Sequence, residues 1–203
     1  MKLYHGTSIR KLKEIRARGL RTRTSSGRAT NWSNNPSHRG AVYLTNSYAC
    51  FYANAACKGK EKWLILEIDT DHPAMFPHGF GPDEDFIEQV GRPNKDGIPG
   101  NMRERTKRIR ARLHENWGGT LDHPPVAMSL QHLGNCTYFG NIPSAAITRI
   151  ATVDPGVAKQ FAYSCFDPCI VLDNYRWCGP KYRNSLKWLF NEPLEHDPLA
   201  VAM

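Results

Sequence analysis

The chain has 203 residues, 40% of them hydrophobic and 23% charged, which is enough for one globular domain with a real core. Its formal net charge is +8, and it holds no apolar run of the roughly 18 residues that a membrane helix needs. Membrane helices are thereby excluded, and six cysteines scattered over this length do not make a small disulfide framework. The opening Met1-Lys2-Leu3-Tyr4-His5 lacks the apolar core of a secretion signal, so the expectation is a cytoplasmic protein with its cysteines as thiols. Cys165, Cys169 and Cys178 match no common zinc spacing, so no metal is expected.

In chain order, Lys2 to Thr7 reads as an apolar strand that stops on His5-Gly6-Thr7. A strand ending there presents an imidazole and free backbone groups, the makings of a small-molecule site. Ile9, Leu12, Ile15 and Leu20 then recur at helical spacing among cations, and Gly19 stands where a helix end takes a left-handed residue. Residues 21–39 are rich in Ser, Thr, Asn, Gly and Arg without periodicity and predict a long loop. Ala41 to Leu44 predict a strand, with Thr45 or Asn46 capping an Ala-rich helix that runs to Ala56.

Taken together, the His5-Gly6 strand and the Gly40-Ala41-Val42-Tyr43-Leu44-Thr45 strand with its small-residue helix resemble the ADP-ribosyltransferase superfamily, in its diphtheria-toxin and poly(ADP-ribose) polymerase branch. The resemblance implies an α+β fold of split, mostly antiparallel sheets with flanking helices and NAD, as co-substrate, in the cleft between the sheets. It puts His5 on the nicotinamide ribose, with Gly6 and Thr7 beside it. It stacks Tyr43 on the nicotinamide ring, with Leu44 next to it and Tyr52 as a second aromatic wall. It also implies that the loop over the dinucleotide supplies an arginine to the phosphates, for which Arg21, Arg28 and Arg39 are the candidates, Arg28 being taken as the binding residue.

Lys62 to Asp69 is the clearest strand in the sequence, apolar on both faces near its middle, and should lie centrally in a sheet. After a Pro- and Gly-rich stretch comes an acidic cluster, Asp83-Glu84-Asp85-Phe86-Ile87-Glu88, where Pro82-Asp83 makes a good helix start. Residues 101–116 predict a helix, basic on most faces through Arg103, Arg105, Arg108, Arg110 and Arg112. A Gly118-Gly119 break and a Pro124-Pro125 loop follow, and then two strands, over residues 133–139 and 145–151, joined by Gly140-Asn141-Ile142-Pro143. That joint is similar to the Gly-x-Ile-Pro turn of the DNA-modifying branch of the superfamily. There a catalytic glutamate precedes the turn.

In this chain the glutamate position falls on Asn135, with Thr137 as the alternative if the strand slips by one pleat. An asparagine can hydrogen-bond a ribose hydroxyl, but it carries no negative charge and is no base. The cluster at residues 83–88 is the only dense supply of carboxylates in the middle of the chain. Glu84 and Asp85 are the first choices for the missing acid, with Glu88 one turn along. Two of them in one cleft would repel, which raises one pKa toward the range of a general base.

Three basic blocks favour a polyanionic partner. They are residues 1–40, with ten Lys or Arg against the single acid Glu14; the run holding Arg105, Arg108 and Arg112; and Lys181-Tyr182-Arg183 to Trp188. The function expected is an NAD-dependent ADP-ribosyltransferase modifying DNA or RNA, a toxin of a toxin-antitoxin or phage-defence pair with an antitoxin partner and no membrane. His5, Tyr43, Glu84, Asp85 and Glu88 would be catalytic. The alternatives are an NAD glycohydrolase, an RNA 2′-phosphotransferase of the same superfamily, and a non-catalytic nucleic-acid or nucleotide-binding module. One domain over residues 1–203 is expected, with a loose Pro-containing tail at 192–203.

Overall fold

A computed structural model describes residues 1–27, 37–57, 61–75, 79–86, 104, 119–153 and 186–188. The elements are β1 (Lys2–Ser8), α1 (Leu12–Arg18), α2 (Arg23–Ser26), β2 (Ala41–Thr45), α3 (Ala49–Cys57), β3 (Trp63–Asp69), β4 (Phe80–Pro82), α4 (Pro124–Leu133), β5 (Asn135–Phe139), β6 (Ile147–Val153) and β7 (Leu186–Trp188). Short 3-10 turns occupy Ile9–Lys11, Pro73–Met75 and Ser144–Ala146. The fold is mixed α+β, and its described strand pairings are antiparallel. Two compact units divide the chain: Met1–Arg21, Leu44–Phe76 and Asn141–Met203 form one, Thr22–Tyr43 and Pro77–Gly140 the other. Among the described residues no helix is long and apolar enough to cross a membrane.

The first unit is built on β3. Its run Trp63 to Ile68 is buried throughout, as expected of a strand covered on both faces. The strand pairs on both sides, with β1 from Leu3↔Ile68 to Ser8↔Trp63 and with β6 from Trp63↔Val153 to Leu66↔Ile150. The predicted central place is therefore the observed one. Each fully buried Leu or Ile of this core contributes roughly 1.5–3 kcal/mol of transfer free energy. β1 meets the end of β2 at Tyr4↔Thr45, and β7 pairs with β6.

The strand expected to stop on His5-Gly6-Thr7 instead runs through all three to Ser8. The reason is close packing: a Cβ on Gly6 would lie 1.9 Å from the Ala49 carbonyl oxygen and 2.7 Å from the Ala53 nitrogen. Gly6 thus lets α3 lie directly on the sheet, with the small residues Ala49 and Ala53 facing it. Thr45 turns the chain into that helix, its Oγ1 accepting from the Ser47 and Tyr48 N–H groups at 3.0 and 2.8 Å. The helix predicted between Ile9 and Leu20 forms after a 3-10 start and ends as expected at Gly19, which has φ 71° and donates to the Ile15 carbonyl at 2.7 Å.

In the second unit, β4 and β5 pair as Phe80↔Tyr138, Gly81↔Thr137 and Pro82↔Cys136, with the Phe80 and Tyr138 rings 5.3 Å apart. The Pro124-Pro125 pair opens α4 rather than forming a loop. Proline lacks the N–H that the first helical turn leaves unbonded anyway, and its fixed φ suits that position. Gly134, at φ 68°, ends α4 and delivers the chain to Asn135. The segment read as a loop over residues 21–39 contains the short helix α2, whose Ser25 N–H is capped by Thr22 Oγ1 at 3.2 Å.

Cys50, Cys57 and Cys136 are buried free thiols, and burial pushes Cys50 up to about 12, which leaves it unreactive. Arg28, Glu88, Arg105, Arg108, Arg112, the three C-terminal cysteines and the tail at 192–203 lie outside the described residues, as does the predicted helix at 101–116 apart from Glu104.

Candidate functional site

The second unit contains a buried carboxylate held by a tyrosine. The chain leaves β4 at Pro82, and residues 84–86 form a helical turn capped by Asp83, whose Oδ1 accepts from the Asp85 N–H at 2.8 Å. Helix α4 holds this turn from one face. Ser129 Oγ accepts from the Asp83 N–H at 2.9 Å, and His132 stacks on Phe86 with ring centroids 6.3 Å apart. Consecutive residues of a helical turn point about 100° apart. With Phe86 turned onto α4, Glu84 goes inward at 5% exposure, while Asp85 faces solvent.

The cap that turns Glu84 into the protein turns Asp85 out of it, so Glu84 and not Asp85 is the buried carboxylate of the pair. Glu84 receives the Tyr43 hydroxyl and, at 2.8 Å, the His38 backbone N–H. Both bonds fall on Oε1. Among the described residues no hydrogen bond reaches Oε2 and no Lys or Arg forms an ion pair with this carboxylate. The His38 N–H also lies 2.6 Å from Tyr43 Oη, so the three groups close a triangle. Tyr43 is held well above the ordinary tyrosine range, first by burial and then by the charge and hydrogen bond of Glu84. It stays protonated and donates.

His38 packs its ring edge-on against Phe139 at 5.6 Å, and its Nδ1 accepts from the Gly40 N–H at 3.2 Å. Burial lowers its pKa; the Glu84 charge opposes this, and Arg23 adds to it. The Arg23 guanidinium donates to the Ser37 carbonyl.

Asn135 belongs to the same corner. In the β4–β5 register Pro82 faces Cys136, so Glu84 follows β4 at the end where β5 begins with Asn135. Ser129 Oγ joins the two, donating to the Asn135 carbonyl at 2.8 Å while it accepts from Asp83. Thr137, the alternative to Asn135, is wholly buried and donates to the Pro82 carbonyl at 3.4 Å, which makes it a core residue.

The remaining expected ligand residues lie in the first unit. His5 is half-buried in the middle of β1 opposite Leu66, not at a strand end. Gly6 is the packing glycine, Thr7 is half-buried opposite Leu64, and Leu44 is a core residue at 1% exposure. Tyr52 is half-buried on α3, edge-on to Phe51 at 5.5 Å. Of the loop arginines, Arg39 is exposed and Arg21 half-buried, and neither carries a described bond to the carboxylate corner.

Sequence reasoning missed His38, Arg23 and Ser129. Ser129 carried no signal beyond its place in an apolar helix. His38 carried a weak one, since a histidine two residues before a glycine at a strand entrance suits an i to i+2 turn.

The class that these observations define is an α+β protein with an antiparallel sheet unit and a second unit holding a buried, tyrosine-bonded carboxylate. No protein-family model matches the chain, and no curated protein matches it.

Proposed function

We propose that the chain is an NAD-consuming ADP-ribosyltransferase that modifies nucleic acid, with Glu84 as the carboxylate that Asn135 cannot be. One observation carries this reading: Glu84 is buried beside the start of β5, with Oε1 anchored by Tyr43 and His38 and no described bond on Oε2. An oxygen so oriented can accept a ribose hydroxyl.

In the proposed reaction an acceptor attacks the anomeric carbon of the nicotinamide ribose. The bond to nicotinamide breaks with its electron pair going to the departing ring, and the acceptor's proton is lost. Positive charge develops on the sugar in between, and a buried carboxylate nearby stabilises it in a low-dielectric setting. Glu84 Oε2 would bond the ribose hydroxyl or take the acceptor proton. The Tyr43 ring would stack on nicotinamide while its hydroxyl keeps Glu84 in place. The ribose contact given to His5 rests on the resemblance alone.

The net charge of +8 supports a polyanionic acceptor, DNA or RNA, over a protein. A role as the toxin of a toxin-antitoxin or phage-defence pair, with an antitoxin protein as partner, follows from fold-level analogy. The test is incubation with labelled NAD and a panel of single-stranded and duplex DNA and RNA, followed by mass analysis. Nicotinamide release together with an ADP-ribose adduct on one of these polymers is the expected result. Release without any adduct would turn the reading to a glycohydrolase. Binding without release would turn it to a non-catalytic module.

A further inference from the structure

We propose that His38 is a positioning residue whose neutral imidazole keeps Glu84 in its working orientation by holding the turn at residues 38–40; this rests on Glu84 carrying the chemistry. His38 makes three described hydrogen bonds at this corner. The His38 N–H is one of only two described donors to Glu84 Oε1, and it also reaches Tyr43 Oη. Its imidazole Nδ1 accepts the N–H of Gly40, two residues on. The side chain therefore closes a turn over the same backbone whose amide aims at the carboxylate.

Neighbouring bonds pin both sides of this turn, and one of them acts on the peptide that carries the His38 amide. The Ser37 carbonyl accepts from Arg23, the Arg39 carbonyl from the Thr24 N–H at 2.9 Å, and the Gly40 carbonyl from the Gly140 N–H at 3.0 Å. The peptide between Ser37 and His38 is thus held at its carbonyl by Arg23 and, on the far side of His38, by the Nδ1 to Gly40 bond together with the contact from the Ala41 N–H to the His38 carbonyl at 3.4 Å. An imidazole accepting at Nδ1 is neutral and carries its proton on Nε2. Protonation would put an N–H where the lone pair is, facing the Gly40 N–H. Two donors then oppose each other, the turn opens, and Glu84 loses one of its two anchors.

The groups facing His38 set the direction of its titration. Glu84 from the turn at 84–86 favours the charged ring, Arg23 from α2 disfavours it, Tyr43 from β2 stays neutral, and Phe139 from β5 carries no charge. Burial outweighs the Glu84 charge, so the folded protein binds this proton less readily than the unfolded chain. Stability and the bond to Glu84 are therefore complete above the ordinary imidazole range and are lost as pH falls below it.

The test uses the full chain and three forms: wild type, His38→Ala and His38→Asn. An asparagine Oδ1 can accept the same i to i+2 N–H as an Asx turn and does not titrate near neutrality. Nuclear magnetic resonance follows the imidazole nitrogens of His38, the amides of His38 and Gly40, and the carboxyl carbon of Glu84 against pH. In the wild type all of these should move in one step below the ordinary imidazole range. In His38→Asn that step should vanish.

For NAD turnover, His38→Ala should lose about 10-fold at neutral pH, the scale of one hydrogen bond to a charged group. His38→Asn should stay within about 2-fold of wild type, an order-of-magnitude allowance for a preserved bond, and lose the acid limb of the pH profile. An Asn variant that keeps the wild-type acid limb, or a Glu84 signal that ignores the His38 step, would overturn the proposal. A wild type without NAD turnover would overturn the functional reading instead, and the resonance titration would still decide for or against His38.

Discussion

Two glutamates, one in each unit, are buried to almost the same degree, Glu67 at 4% and Glu84 at 5% exposure, yet their surroundings differ in kind. Glu67 lies on the central strand of the first unit, where Thr148 Oγ1 donates to it at 2.7 Å and Arg149 Nε stands 3.5 Å away. Its charge has a counterion across the β3–β6 pairing, so the group is part of the sheet. Among the described residues Glu84 has only neutral donors, a tyrosine hydroxyl and a backbone amide, both on one oxygen. A buried carboxylate with no cation among its described partners depends on such hydrogen bonds to offset its desolvation. The two differ in their partners, a cation beside one and neutral donors on the other, and burial alone could not have told them apart.

The largest expected effect concerns the unit in which packing dominates. Gly6→Ala places a methyl group 1.9 Å from a carbonyl oxygen, so about 3 kcal/mol of stability should be lost, the upper end for overpacking, as read from denaturant unfolding. A variant as stable as wild type would show that α3 does not sit on β1 as described.

Next comes Glu84→Gln. It keeps the shape and can still accept the tyrosine proton, but it loses the charge. NAD turnover should fall by roughly 100-fold with little change in NAD affinity, the scale of a positioned acid or base. Unchanged turnover would make Glu84 a structural residue like Glu67 and end the contrast.

Tyr43→Phe keeps the ring and removes the hydroxyl. A loss of about 10-fold in kcat with KM nearly constant is expected, since one hydrogen bond to a charged group disappears while any stacking survives. A change confined to KM would instead assign Tyr43 to binding through its ring alone.

The smallest effect should come from Glu67→Gln. It weakens a half-exposed ion pair with Arg149, side chain 50% exposed, and keeps the bond from Thr148. A stability change of up to about 1 kcal/mol is expected, after allowing for solvent screening of the arginine, and no change in NAD turnover. A large fall in turnover with intact folding would mean that the two glutamates are not as different as their partners suggest.

Much of the first unit was legible in the residues. The apolar run at 63–66, with Ile68 beyond Glu67, predicts a central strand because only a strand covered on both faces can bury side chains of both parities. Gly19 predicts a helix end because a left-handed residue costs a glycine little. The Gly6 error has the same physical origin: glycine after histidine suggested a strand end, whereas its meaning was the approach of α3, which no local pattern reveals.

By itself the sequence determined the position of β3, a cap at Thr45 or Asn46 leading into α3, the helix end at Gly19, a helix start at Pro82-Asp83, and the supply of carboxylates near residue 84. These depend on propensity, periodicity and capping, which act over a few residues. Only the tertiary structure decided which carboxylate is buried, that His38 and Tyr43 bind it, and that Ser129 ties its turn to Asn135. Those bonds join residues 41 or more positions apart in the case of Glu84. A hydrogen bond between side chains so distant leaves no periodic trace, because it depends on where two strands and a helix bring their ends.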